Sequence, residues 1–398
     1  MNYRILEEAK KLKPELTAHR RWLHSHAETG FELDNTKSYV RQVLEEMGYK
    51  VHDCGKCGLV TAIGTGRKTI LLRADMDALP IREETGLDFA CKTGIMHACG
   101  HDLHTSMLLG AARILKSHES ELKGTVKLMF QPAEETLEGA RDMMKHGVLM
   151  DVDAGMMLHA ATAVPFPAGT ILVSPPGISA PSADYFTITV QGKSSHGSAP
   201  QEGIDALTAA AHILIGLQEI NARELGIGDR AMLTIGTMQG GNAPNVISDN
   251  AVMKGTLRCY DENIRNRLKQ RIVEISQGIS LAFRASARVT WDSGCPTLVN
   301  SEKLCHQAHG WLAELLGEDM ALSLQKMNPA ETPTAGGSED FSWISHQIPT
   351  VMASIAAGEP KNGHQYPLHH PKVTFDEQAL PFGAAALAFT AIQYLQDS

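Results

Sequence analysis

Three apolar runs, Thr69 to Arg73, Thr125 to Phe130 and Ala154 to Leu158, restrict the fold of this chain more than any other feature. Each is long enough to cross a sheet and too short for a buried helix. Helical spacing lies between them at Leu103 to Leu115 and Leu137 to Lys145, and ahead of them at Leu6 to Leu23 and Thr36 to Met47. Continuous apolar strands alternating with helices predict a parallel or mixed sheet covered on both faces. Polar residues follow closely: Asp75 and Asp77 after the first run, Glu134 and Glu135 after the second, while His159 ends the third. Open α/β sheets bind ligands beyond the carboxyl ends of their strands, so these scattered side chains are expected to converge.

At 398 residues the chain is too long for one ordinary core. Its texture changes around Pro181, after a stretch from Val173 that reads as a hinge. Ala183 to Val190 alternates as a half-exposed strand. A helix at Ile204 to Ala222, strands at Ala231 to Met238 and Val246 to Cys259, a helix at Glu262 to Ile279 and a strand at Arg288 to Trp291 follow. That order suggests an inserted α+β sandwich of the ferredoxin-like kind. The first domain resumes after Cys295 and closes with a helix over Phe375 to Leu395. The expected class is α/β: a mixed, mainly parallel sheet flanked by helices over residues 1–181 and 294–398, with the inserted sandwich at residues 182–293.

Composition removes several functions. Mean hydropathy is -0.15, and no stretch approaches the length of a membrane span. A formal net charge of -9 without a basic block argues against a nucleic-acid surface. The charged N-terminus lacks the apolar core of a signal peptide. Seven cysteines, an odd number spread over the chain, suggest reduced thiols in a cytoplasm. Cys54 and Cys57 form an isolated C-x-x-C with no second pair nearby, which reads as ordinary thiols. Neither a G-x-S-x-G elbow nor a phosphate-binding P-loop motif occurs, which removes serine-hydrolase and P-loop chemistry.

What remains is a density of metal donors. Met96 to Thr105 reads M-H-A-C-G-H-D-L-H-T, and Phe130 to Glu135 reads F-Q-P-A-E-E. A lone cysteine or histidine is usually a buried thiol or a surface imidazole. Cys99 and His101, one residue apart in a loop with Gly94 and Gly100, are too crowded by other donors for that reading. Thiolate, imidazole and carboxylate together suit a borderline divalent ion such as zinc, cobalt, nickel or manganese. Glutamate pairs at helix starts often only complement the dipole. Directly after a buried strand, Glu134 and Glu135 read better as one ligand and one base, because adjacent carboxylates point different ways. A late histidine would close a two-ion site, and the residues do not choose between His364, His369 and His370. His196, in G-K-S-S-H-G-S-A-P, reads as a turn histidine whose small neighbours permit close approach.

Taken together, H-A-C-G-H-D-L-H-T, F-Q-P-A-E-E, the M-L-H ending at His159, G-G-N-A-P-N-V-I, G-S-E-D-F and L-H-H-P resemble the M20 metallopeptidase family. The branch is that of the aminoacylase-like amidohydrolases, with hippurate hydrolases, indole-acetyl-amino-acid hydrolases and N-acetyl-diaminopimelate deacetylase. The likeness runs in order from His19 to the C-terminus. It implies two divalent metal ions (manganese, zinc, cobalt or nickel) held by Cys99, His101, Glu135, His159 and His369, with Glu134 as general base and Asp77 orienting a ligand. It further implies that His196 steadies an oxyanion, often across a dimer. Asn245 and Arg258 would hold the substrate's carboxylate, to which Arg is suited by bidentate geometry. Without the resemblance those two read as a loop amide and a solvated strand charge. The inserted domain becomes a dimerisation domain, giving a homodimer or higher homo-oligomer. Two departures bear on specificity: the family's H-P-E is His26-Ala27-Glu28 here, and the histidine after the proline of the His196 motif is Gln201.

The expected activity is hydrolysis of an N-acyl amino acid to a carboxylic acid and a free amino acid. A dipeptidase with the same site, a non-catalytic metal-dependent binding protein and an N-acyl transferase are the alternatives.

Overall fold

The computed structural model describes residues 2–327 and 337–397. Backbone contacts divide the chain into two compact units. Ala180–Leu298 forms the body of one, and the segments up to Ser179 and from Val299 form the other.

The larger unit is built on an eight-stranded sheet in the order His52–Cys54, Gly58–Ile63, Thr125–Gln131, Thr69–Asp75, Ala154–Ala161, Thr350–Ala356, Ile171–Val173 and Ala321–Ser323. The four central strands run parallel, and all seven residues of Thr69–Asp75 are buried. Burial on both faces is why these strands read as unbroken apolar runs. From Thr69–Asp75 the chain crosses first to one neighbour, Thr125–Gln131, and then to the other, Ala154–Ala161. That reversal is a switch point, where a crevice opens beyond the carboxyl ends. The helix His101–Ser117 crosses one face, packed against Lys13–Ser25 and Ala379–Gln396, and almost its whole circumference is buried.

Several expected elements shift for local reasons. The single helix expected from Leu6 to Leu23 is two, Asn2–Lys11 and Lys13–Ser25, since Pro14 has no amide to continue the ladder. His159 does not end its strand, which continues to Ala161. Cys99 lies in a loop as expected, but His101 already opens the helix, launched from Gly100 at φ +87°.

The second unit follows the order β-α-β-β-α-β. Its antiparallel sheet is ordered Ala231–Gly240, Asn250–Cys259, Ser182–Gln191 and Ser286–Cys295, the arrangement of a ferredoxin-like sandwich. Helices Ala206–Glu219 and Glu262–Ala282 are capped by Asp205 and Asp261, whose carboxylates accept the first free amides. They close over a core that includes Phe186, Ile188, Ile213, Leu217, Leu257 and Leu268. The strand expected over Val246 to Cys259 divides: Val246–Ile247 pairs with Ser195–His196, and Asn250–Cys259 enters the main sheet. Ala231–Gly240 is an edge strand of this unit, with Met232 61% exposed.

Candidate metal centre

The site is assembled by backbone turns at the switch point. Just past its strand, Asp77 is held by the neighbouring Ala78, whose amide donates to Glu28 carbonyl oxygen at 2.7 Å. The Asp77 carboxylate accepts the amides of Glu134 at 3.0 Å and Glu135 at 3.1 Å, one on each oxygen. One buried carboxylate thus fixes the directions of both glutamates. The turn they occupy is tight: Ala133 and Leu137 take φ of +55° and +60°. A Cβ at Gly139 would lie 1.6 Å from the Pro132 carbonyl oxygen, so only glycine fits. Strained residues of this kind persist only where surrounding structure imposes them, and they cluster at working sites.

The same Asp77 sets the histidine. His101 Nδ1–H donates to the Asp77 carbonyl at 2.7 Å, leaving the Nε2 lone pair directed inward. His101 Nε2 stands 3.9 Å from Glu134 Oε2, 3.9 Å from Glu135 Oε1 and 3.7 Å from Asp75 Oδ2. Cys99 Sγ lies 3.5 Å from His159 Nε2 and 3.3 Å from His369 Nε2, and the latter is 3.6 Å from Glu135 Oε1. Among the donor groups of ligand size are Cys99–His101–His159 and Cys99–Glu135–His369, which share the thiol. Among the described residues, His101 Nε2 and Glu135 Oε1 are buried without a hydrogen-bond partner. Buried polar atoms are rarely left so, and a cation satisfies both.

All five expected ligands therefore converge, with Glu134 beside them. Among the three late histidines the geometry chooses His369: its amide donates to Ala98 carbonyl at 2.9 Å and its φ is +65°. His364 bonds Thr374 instead, and His370 stacks on Tyr366 with centroids 4.4 Å apart. The His369 side chain is 51% exposed, so the centre is open on this side.

Charge reinforces the reading. Burial raises the Glu135 carboxyl above its ordinary value, partly opposed by His101 and His369. Burial works to lower His101, but the Asp75 carboxylate, Cys99 and Asp77 outweigh it and raise the imidazole well above its usual range. Such a cluster of acids and a thiol around imidazoles exchanges protons for metal ions.

Of the remaining expected residues, His196 and Asn245 come together in the second unit. His196 is registered against Val246, and Gly197 amide donates to Asn245 carbonyl at 2.7 Å. Ser198 amide donates to His196 Nδ1 at 3.1 Å, so the exposed ring offers its other nitrogen as a donor. Arg258 is not with them. It lies at the far end of Asn250–Cys259, its Nη2 donating to Tyr185 hydroxyl at 3.1 Å, with eight residues or about 26 Å of strand between.

Sequence reasoning missed the supports. Arg73, buried in its strand, donates to Asp75 at 2.5 Å, to Asp340 at 3.0 Å and to Gln131 at 2.9 Å. Asp340, from the G-S-E-D-F motif, also accepts Gln131 Nε2 at 2.6 Å and Ala140 amide at 2.8 Å. The available signal was the charge itself, since an arginine inside an apolar strand must be paired. Glu28, of the departing His26-Ala27-Glu28, accepts the Asn35 and Thr36 amides and caps a helix start.

The sequence profile of peptidase family M20/M25/M40 matches residues 71–393. N-acetyl-L-cysteine deacetylase of Bacillus subtilis is 37% identical over 393 residues, covering 97% of this chain and 89% of that protein. IAA-amino acid hydrolase ILR1-like 2 of Arabidopsis thaliana is 36% identical over 385 residues, covering 95% of this chain and 84% of that one. A crystal structure from Bacillus subtilis, described as a dinuclear metal-binding peptidase of the M20 family, superposes with a TM-score of 0.78 at 33% identity, covering 98% of this chain and 100% of the other. Profile, sequence and structure agree, and the chain belongs to peptidase family M20/M25/M40, in its aminoacylase-like amidohydrolase branch.

Proposed function

We propose that the protein hydrolyses the amide bond of N-acyl amino acids, releasing a carboxylic acid and a free amino acid. The observation that carries this is the pair of donor groups joined at Cys99 with Glu134 beside them. The donor set fits two divalent ions, since His101 Nε2 and Glu135 Oε1 are buried and lack hydrogen-bond partners among the described residues. Cys99, His101 and His159 would hold one ion, and Cys99, Glu135 and His369 the other. When bound, the ions would acidify a water molecule and polarise the acyl carbonyl. Glu134 takes the proton from the attacking water and delivers it to the leaving nitrogen. Asp77 positions Glu134 for that task by fixing both glutamates through their amides. His196 steadies the oxyanion, and Arg258 and Asn245 hold the substrate carboxylate.

His196 and Asn245 are supplied by a second copy of the chain in this reading. Their separation from Arg258, which lies on a different sheet of the second unit, supports it. The edge strand Ala231–Gly240 with exposed Met232 supports a homodimer. In that arrangement the inserted sandwich serves as the dimerisation domain. Manganese, zinc, cobalt and nickel all suit the donors. Seven free cysteines favour a reducing, cytoplasmic setting. Among the described residues no helix is long and apolar enough to cross a membrane.

The test is hydrolysis of N-acetyl, N-benzoyl and N-indolylacetyl amino acids and of dipeptides, with each metal supplied separately and amine release followed. Release from N-acyl amino acids that a chelator abolishes is the expected result. Cleavage of dipeptides alone, or silence with every metal, would overturn the assignment.

A further inference from the structure

The central sheet splits at its carboxyl end. Thr69–Asp75 stays paired with Thr125–Gln131 through Asp75 and Gln131, but with Ala154–Ala161 only as far as Arg73 and Met157. Beyond Met157, among the described residues, the strand that carries His159 keeps a strand partner only on its other side, where Ala160 is registered with Ile355. An amide facing the split would be left without an acceptor, a costly loss in a buried place.

His104 fills that position. Its Nε2 accepts the Ala160 amide at 2.7 Å, and its Nδ1–H donates to Asp75 Oδ1 at 2.6 Å. The two bonds fix the tautomer, as a neutral ring must donate at one nitrogen and accept at the other. The His104 and His159 rings meet edge-on with centroids 4.7 Å apart. Asp75 is itself clamped, by Arg73 Nη1 on Oδ2 at 2.5 Å and by Thr105 hydroxyl on its carbonyl at 2.7 Å. The same Oδ2 stands 3.7 Å from His101 Nε2. Both residues are buried. Asp75 and His104 thus reach two of the three donors in one metal group, His101 and His159. The other group is held by different means, Glu135 through Asp77 and His369 through Ala98.

We propose that Asp75 and His104 are positioning residues that stand in for the missing strand beside His159 and set the metal affinity of the Cys99–His101–His159 group. The inference rests on the two-ion reading of the centre. A histidine that only filled core volume could be exchanged for leucine without altering how ions bind.

The experiment is calorimetric titration of metal-free protein with cobalt(II), following the thiolate-to-cobalt absorption in parallel. For the wild type, two binding steps are expected. In His104→Leu, one step should weaken about 10- to 100-fold while the other stays within about threefold, the usual scale for losing a residue that supports a ligand. His104→Gln should recover most of the loss, because its amide nitrogen can donate to Asp75 while its oxygen accepts from Ala160. Asp75→Asn keeps the shape but cannot satisfy Arg73 and His104 together, so it should weaken the same step should the leucine variant not fold. A folded His104→Leu or Asp75→Asn protein that binds both ions like the wild type overturns the proposal and leaves the two-ion reading standing. A wild type that takes up no ion overturns both.

Discussion

Asp77 shows how much of this centre is set by residues that hold no ion. Its two carboxylate oxygens take the amides of adjacent glutamates, and its carbonyl takes His101 Nδ1–H. Asp77→Asn turns one acceptor into a donor facing an amide, and metal affinity should fall about 10- to 100-fold in a titration. Glu134 differs in kind, because the proposed function makes it the general base. Glu134→Gln should bind the same number of ions and lose roughly 10²- to 10⁴-fold in kcat, the range for a general base. Undiminished turnover by this variant in a steady-state assay would remove Glu134 from the mechanism. The proposed role of Glu134 was half legible: two carboxylates directly after an apolar strand read as one ligand and one base, and the family resemblance implies that Glu134 is the base. That of Asp75 was not, since it depends on where two strands stop pairing, which no residue pattern records.

At the scale of elements, the helix Lys13–Ser25 braces the centre from behind. Arg20 Nε donates to Asp102 at 3.1 Å and its Nη1 to Glu377 at 3.1 Å, while His24 lies between Asp102 and Glu83 at 2.9 and 3.2 Å. Asp102 is the residue after His101, and the loop beginning at Glu83 is tied to Pro371 by the Glu84 amide. One helix therefore braces two ligand-bearing segments. Burial lowers His24, but hydrogen bonds to Asp102 and Glu83 overcome it and raise the imidazole to about 9. A raised value in the fold means stability fully present below the unfolded pKa of about 6.5 and lost as pH rises through about 9. The melting temperature should fall by several degrees between pH 7 and pH 9.5, and His24→Gln should flatten that slope in a calorimetric series. Three of the four central strands were readable because burial on both faces leaves an apolar run, whereas Thr350–Ala356 was not singled out. His52–Cys54, Ile171–Val173 and Ala321–Ser323 were not, at three residues each, because so short a segment carries no period.

At the scale of the whole molecule, the proposal that a second copy supplies His196 has a direct test. His196→Ala and Glu134→Gln should each be inactive alone. Mixed under conditions that let subunits exchange, they should regain part of the activity, because a hybrid dimer holds one intact set. If the mixture stays inactive while exchange is demonstrated by sedimentation of tagged chains, His196 acts within its own chain. Met232→Glu, on the edge strand of the sandwich, should shift the protein toward monomer in the same sedimentation measurement.

The pairing of Thr350–Ala356 with Ala154–Ala161 also governs the order in which the protein can be made. On the ribosome the sandwich within Ala180–Leu298 emerges as one continuous segment and can fold as soon as it is complete. The central sheet must wait for a strand made after the whole sandwich, and His369 arrives later still. The donors around Cys99 stay without their last partner until His369 is made, on a surface that only a contact of long sequence separation closes, the slow kind. A nascent chain stalled before Thr350 would therefore carry a finished sandwich and an open half-sheet, with the Cys99–Glu135–His369 group still lacking its histidine.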